Sequence, residues 1–228
     1  MKITYYGHSC FAINAGGSEI LFDPFISGNE LAGNIDLNAI AADYIFISHA
    51  HFDHITDALR LAESTGAVVV GNWEIRDWLI KQGVAKTHPM NPGGQWQFSF
   101  GAVKCVSAVH SSSFPDGSYG GSACGFIFHI DEGNFYYSGD TALTLDMGLI
   151  PKWAALDLAI LPIGDALTMG ADDAIETCRI LGVNTVLGVH YDTFGFIKID
   201  KQEVLKKFSE HGIKLLLPSI GETIEFNP

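Results

Sequence analysis

Tyr44-Ile45-Phe46-Ile47-Ser48-His49-Ala50-His51-Phe52-Asp53-His54 runs from a short apolar strand straight into a cluster of metal-ligating side chains. Beyond it Ile55, Ala58, Leu59 and Ala62 fall at helical spacing, which predicts a helix over about 54–64 and places H-x-H-x-D-H in a strand-to-helix loop. Loops on the rim of a sheet are where a rigid scaffold presents reactive groups. In extended backbone, residues two apart point the same way, so His49 and His51 reach one cation together while Asp53 and His54 turn towards a second. One loop thus supplies four candidate ligands.

The chain around this loop has 228 residues, 47% hydrophobic and 17% charged, which predicts one large folded domain, 1–228, with a substantial core. Its formal charge of -13 leaves no Lys/Arg face to neutralise phosphates, so neither nucleic acid nor an anionic membrane is an expected partner. A small-molecule substrate is the expected partner, and a homo-oligomer is left open. Cys10, Cys105, Cys124 and Cys178 show no C-x-x-C spacing and read as small buried hydrophobes in a reducing compartment, rather than as a disulfide such as Cys105 with Cys124. The strand-like start Met1-Lys2-Ile3-Thr4-Tyr5-Tyr6 has no apolar leader, and no stretch reaches the ~18 apolar residues of a membrane span, so the expectation is a cytoplasmic protein.

Taken in order, residues 2–6, 10–14 and 18–22 read as an antiparallel meander that ends at Asp23-Pro24. After the metal loop, a strand at 67–70 and a helix from Asn72 to near Gly83 indicate a parallel segment. A hairpin at 95–100 and 102–109 then delivers His110, with His88 left in the preceding loop, and strands at 123–130 and 134–138 deliver Gly139-Asp140-Thr141. A buried strand at 157–161 ends in Pro162-Ile163-Gly164-Asp165, a helix spans 171–181, and the strand at 185–189 delivers His190. Asp200 and Glu203 form a capping-box pattern for the last helix, which closes at His211-Gly212 before strands near 213–217 and 223–226. A meander followed by βαβ pieces occurs once before about residue 90 and again after it. Two mixed β-sheets with helices on their outer sides give an α/β, four-layer αββα sandwich.

His110, Asp140 and His190 therefore stand at strand ends, as the opening loop does. With it they make five histidines and two carboxylates, enough for three His on one metal, Asp-His-His on another and one bridging Asp. Asp23, at the end of Ile20-Leu21-Phe22, can orient a ligand histidine from behind or close an Asp-Pro turn. His129, on the polar side of an alternating strand, and His211, at a helix C-terminus, read as structural.

At this point the chain resembles the metallo-β-lactamase superfamily. More narrowly it resembles a bacterial metal-dependent hydrolase branch related to ascorbate-6-phosphate lactonase. The likeness runs through Tyr6-Gly7-His8-Ser9, Phe22-Asp23-Pro24-Phe25, the H-x-H-x-D-H loop, His110-Ser111-Ser112, Gly139-Asp140-Thr141, Leu161-Pro162-Ile163-Gly164-Asp165, Thr168-Met169-Gly170, His190-Tyr191 and Thr193-Phe194. The resemblance implies a metallo-β-lactamase sandwich with His49, His51 and His110 on metal 1. Asp53, His54 and His190 would hold metal 2, with Asp140 bridging and Asp23 behind the ligands. His8 matches a branch motif and is expected to face the site, as a further ligand, a substrate contact or a cap.

Seven ligand residues and no G-x-S-x-G motif point to metal-assisted hydrolysis. Two cations ~3.5–4 Å apart lower the pKa of a shared water and stabilise the developing oxyanion, with Asp53 available to orient that water. Zinc suits imidazole and carboxylate best, and manganese, iron or nickel are also compatible. Between His88 and Pro151 the only cation is Lys104, although Lys152 and Lys198 can reach over, whereas Ser111, Ser112, Ser113, Tyr119, Asp165, Thr168 and Tyr191 offer polar contacts and Phe114, Phe194 and Phe196 apolar walls. A small ester or lactone is therefore favoured over a phosphodiester. The Ser/Gly-rich stretch at 111–122 suggests a mobile lid. The alternatives are a phosphodiesterase or nuclease, which needs a basic groove; an iron-dependent redox enzyme, although flavin-coupled di-iron relatives carry Glu where this chain has His51; and a metal-binding protein without turnover.

Overall fold

The computed structural model describes residues 1–228. Alternating exposure in β1 (Lys2–Gly7) turns Ile3 and Tyr5 inward, and β2 (Cys10–Ala15) and β3 (Ser18–Phe22) extend it as an antiparallel meander. β4 (Tyr44–Phe46) joins β3 in parallel, and α1 (Phe52–Ile55) and α2 (Ala58–Thr65) lead to β5 (Val68–Gly71). α3 (Trp73–Lys81) and β6 (Thr87–Pro89) complete the parallel part.

The second half repeats this plan. β7 (Gln95–Phe98), β8 (Gly101–Ser107), β9 (Cys124–Ile130) and β10 (Gly133–Tyr137) pair antiparallel. β11 (Leu158–Pro162), α4 (Ala171–Leu181), β12 (Thr185–Val189), α5 (Lys201–Glu210) and β13 (Lys214–Leu216) then add three parallel pairings. β14 (Thr223–Glu225) crosses back to pair with β1, so the sheet orders are β14-β1-β2-β3-β4-β5-β6 and β13-β12-β11-β10-β9-β8-β7.

Aromatic side chains fill the space between the sheets. The Phe22 ring centroid lies 4.4 Å from Phe11 and 5.4 and 5.5 Å from Phe128 and Tyr137 of the facing sheet. Each such fully buried side chain contributes about 1.5–3 kcal/mol. On the outer face of the first sheet Leu21, Ile45 and Val69 cluster with Leu61 of α2 and Ile75 and Leu79 of α3. Ala174, Ile175 and Cys178 of α4 and Phe208 of α5 cover the second. The fold is the four-layer αββα sandwich of two mixed sheets.

Local departures from the sequence expectation have local causes. The helix expected over 54–64 is two helices, because Asp57 leaves the helical path: its carboxylate accepts from the Ile26 and Ser27 amides (2.6 and 2.9 Å) and its N–H donates to Pro24 O. His88, expected in a loop, lies in β6, an edge strand too short to show a period. β8 stops at Ser107, so two residues of loop, Ala108 and Val109, precede His110. Short 3₁₀ turns at Glu30–Ala32, Leu37–Ala39, Leu145–Lys152 and Gly195–Ile197 lie outside the elements expected from the sequence. All four cysteines are free and buried, and no helix is long and apolar enough to cross a membrane.

Candidate metal centre

Strands β1, β3, β4, β8, β10 and β12 end on one rim, and each delivers polar side chains there: His8, Asp23, His49, His110, Asp140 and His190. Turning a residue sharply off a strand end takes unusual backbone, and His8, Asp23 and His190 all have positive φ (54°, 39° and 57°). Non-glycine residues adopt that region at a cost and cluster at functional sites. Cross-strand bonds hold them, Asp23 N–H to Phe46 O and His190 N–H to His8 O, both 2.9 Å.

Two groups of ligand atoms share no member, and a third, of Asp23, His49 and His54, overlaps both. His49, His51 and His110 form one, and Asp53, His54 and His190, joined by His8, form the other, with the ligand atoms of each group within 4.8 Å of one another. Asp140 Oδ2 lies between them, 3.9 Å from His49 Nε2, 3.7 Å from His110 Nε2, 3.3 Å from His54 Nε2 and 2.9 Å from His190 Nε2. The seven residues expected as ligands thus come together on this rim. Asp23 stands behind them, accepting from His54 Nδ1 (2.8 Å), the Ser48 amide (2.7 Å), and the Ser48 and Tyr137 hydroxyls.

The hydrogen bonds around the histidines decide which ring nitrogen carries a proton. Ser48 Oγ donates to Asp23 and so accepts from His49 Nδ1 at 3.0 Å, leaving a lone pair on His49 Nε2. His51 turns Nε2 to Ser111 Oγ (3.3 Å) and its Nδ1 to His49 Nε2, 2.9 Å away. His54 donates Nδ1 to Asp23, so its buried Nε2 has a lone pair and no hydrogen-bond partner, as is also true of buried Asp140 Oδ1. Buried polar atoms without partners are costly. Inward lone pairs and three buried carboxylates, Asp23, Asp53 and Asp140, suit divalent metal bound by imidazole and carboxylate.

Charge at the site follows from burial set against these carboxylates. Burial holds His49 well below the usual histidine value and lowers His51 and His110 as well. It also takes His8, beside His190, down to about 4. His54 is equally buried, but Asp140, Asp23 and Asp53 outweigh burial and raise it well above the usual value. Burial raises Asp53 and Asp140, yet the neighbouring histidines prevail and hold both carboxyls below the ordinary range. Surroundings that draw a proton onto His54 favour positive charge, which a cation supplies in its place.

The expected substrate contacts divide. Asp165 is exposed at φ 62°, and Thr168 is half-buried beside it. Tyr191 is only 3% exposed and stacks on Tyr5, 6.2 Å away, lining with His8 and Thr193 a cavity of about 60 Å³. Phe114, expected as an apolar wall of the substrate site, instead stacks on Trp78 of α3 at 5.0 Å, because it packs in the core cluster beneath the loop. That loop, expected as a mobile lid, is tied down by Asn72 Nδ2 donating to Gly120 O and Ser122 O and by Ser112 Oγ donating to Gly120 O. Sequence reading missed Ser48, Tyr137 and Thr193 as hydrogen-bond partners of the site. Only the position of Ser48, directly before His49, was a signal.

Two facing mixed sheets with a His/Asp cluster on their common rim define a metallo-β-lactamase-type hydrolase. A family model described as a beta-lactamase superfamily domain matches residues 2–190. The solved structure of Igni18, a metallo hydrolase from the archaeon Ignicoccus hospitalis, superposes with a TM-score of 0.88 at 33% identity over 99% of each chain. UPF0173 metal-dependent hydrolases of Flavobacterium johnsoniae and Methylacidiphilum infernorum are 52% and 50% identical, over 99% and 98% of this chain and 100% and 99% of theirs. The chain belongs to the UPF0173 metal-dependent hydrolase family. An isothiocyanate hydrolase from Delia radicum gut bacteria shares the fold, with a TM-score of 0.81 at 20% identity.

Proposed function

We propose that the protein is a binuclear metal-dependent hydrolase of small uncharged esters or lactones. The observation that carries this reading is Asp140 Oδ2 lying within 3.9 Å of His49, His54, His110 and His190, between two complete ligand groups. Divalent cations, zinc foremost, would be held by His49, His51 and His110 and by Asp53, His54 and His190, with Asp140 shared; when bound they supply Lewis acidity and an acidified water.

The chain's own residues do the rest. Asp53 is 7% exposed, which suits it to orient a water at the site. His51 and His110 are only half-buried, so substrate reaches the site from their side. Phe194 lies 5.5 Å from His8 and passes outward to Phe52 (6.1 Å) and Phe196 (5.8 Å), which are 51% and 63% exposed, an apolar shelf for an uncharged acyl or ring group. No Lys or Arg occurs between Lys2 and Arg60 or between Lys104 and Lys152, and Lys201 is held by Asp192 at 3.3 Å, which disfavours a phosphate or carboxylate substrate.

The test is elemental analysis of the protein purified without added metal, followed by a panel of esters, lactones and phosphodiesters. Close to two equivalents of zinc or manganese with ester or lactone turnover supports the reading. Mostly iron, no metal, phosphodiester cleavage alone, or full metal content and rate in His51→Ala would overturn it.

A further inference from the structure

His8 is the one buried histidine at the rim that the proposed ligand set leaves unused. It is 1% exposed, and its carbonyl is held by the Tyr5 hydroxyl (3.1 Å) and the His190 amide (2.9 Å), which fixes its left-handed backbone and aims the ring at the site. Building on the metal-binding reading above, we propose that His8 is a fourth protein ligand of the second cation, through Nε2, with Thr193 setting its tautomer.

The outward nitrogen decides the protonation. His8 Nδ1 lies 3.0 Å from Thr193 Oγ1, and that hydroxyl has its own acceptor, Tyr191 O, at 3.4 Å. With the hydroxyl proton on Tyr191 O, Thr193 Oγ1 accepts from His8 Nδ1–H, and His8 Nε2 carries a lone pair. That lone pair lies 3.0 Å from Asp53 Oδ2. Two buried lone-pair atoms at this separation repel unless positive charge lies between them. The His8 ring is also 4.2 Å from His190 and 5.6 Å from His54, and its ligand atom lies within 4.8 Å of theirs and that of Asp53.

This makes the two sites unequal. The second has four protein donors besides Asp140, all buried, whereas the first has three histidines of which His51 and His110 are half-buried. Closed donor sets are the mark of tightly held ions, and open positions the mark of sites that take substrate. The second site fills first, and the first site receives the substrate.

The rival role is a hydrogen bond from His8 Nε2–H to Asp53, which would make His8 a positioning residue. NMR of the ¹⁵N-histidine-labelled full chain loaded with ¹¹³Cd separates the two, with His8→Gln used only to assign the resonance. Scalar coupling between ¹¹³Cd and His8 Nε2, with the proton on Nδ1, is the expected result. A proton on Nε2 with no cadmium coupling, while His54 and His190 are coupled, would overturn the assignment. Absence of coupling to every histidine would instead overturn the metal-binding reading itself. In zinc titrations, His8→Gln should weaken the tighter equivalent by about tenfold or more, and Thr193→Val by about tenfold, with the His49, His51 and His110 equivalent retained. Unchanged affinity for both equivalents in His8→Gln, whose amide still donates to Asp53, would refute ligation.

Discussion

His54 Nδ1 donates to Asp23 Oδ2 at 2.8 Å, and solvent reaches neither side chain. Asp23 also takes the Ser48 amide, the Ser48 hydroxyl and the Tyr137 hydroxyl, so one carboxylate from β3 fixes the proton on a proposed ligand histidine and ties it to both sheets. Asp23→Asn puts an NH₂ group among these donors. Affinity for the second cation should fall about 10- to 100-fold. An unpaired buried donor should also cost about 1–3 kcal/mol of stability. Competitive zinc titration and denaturant unfolding read the two effects.

Asp140 faces both ligand groups, and its Oδ1 is buried without a hydrogen-bond partner. Asp140→Asn keeps the volume and removes the shared charge. Bound zinc should drop from about two equivalents towards one, and hydrolysis by at least about 100-fold, the scale of losing a preorganised electrostatic contact. Retention of both equivalents and of the rate would show that the carboxylate is not shared.

Gly164 leaves room for the backbone of His190. A Cβ there would stand 2.1 Å from the His190 carbonyl oxygen, so Gly164→Ala must push His190. The expected outcome is a loss of about 1–3 kcal/mol from overpacking, together with weaker binding of the second cation. Gly195→Ala, where a Cβ meets nothing within 4 Å, is the control.

His88 offers a pH dependence away from the metal centre. Its ring packs 4.7 Å from Trp96 and 5.2 Å from Phe98, and burial lowers its pKa below 6.5. On acidification the unfolded chain therefore takes up this proton first. The contribution is fully present above 6.5 and is lost as the pH falls from there through the lower folded value. The stability difference between wild type and His88→Gln, measured by denaturant at several pH values, should shrink on acidification, and the NMR titration of His88 should have its midpoint below 6.5.

What the sequence determined by itself is what short range controls. His49, His51, Asp53 and His54 stand within six residues, the first two ahead of α1 and the last two inside it, so local backbone geometry separates them into two groups, and the strand-end positions of His110, Asp140 and His190 follow from apolar runs that stop beside them. The repeated meander and βαβ order was enough to read the two-sheet sandwich. Tertiary structure alone decided the contacts that tune the site. Tyr137 reaches Asp23 across 114 residues and Thr193 reaches His8 across 185, contacts that exist only because the sheets pack face to face and their strands end on one rim. It also turned Phe114 into the core against Trp78 and broke the 54–64 helix at Asp57. In both places long-range packing and hydrogen bonding outweigh local preference, and no local pattern records them.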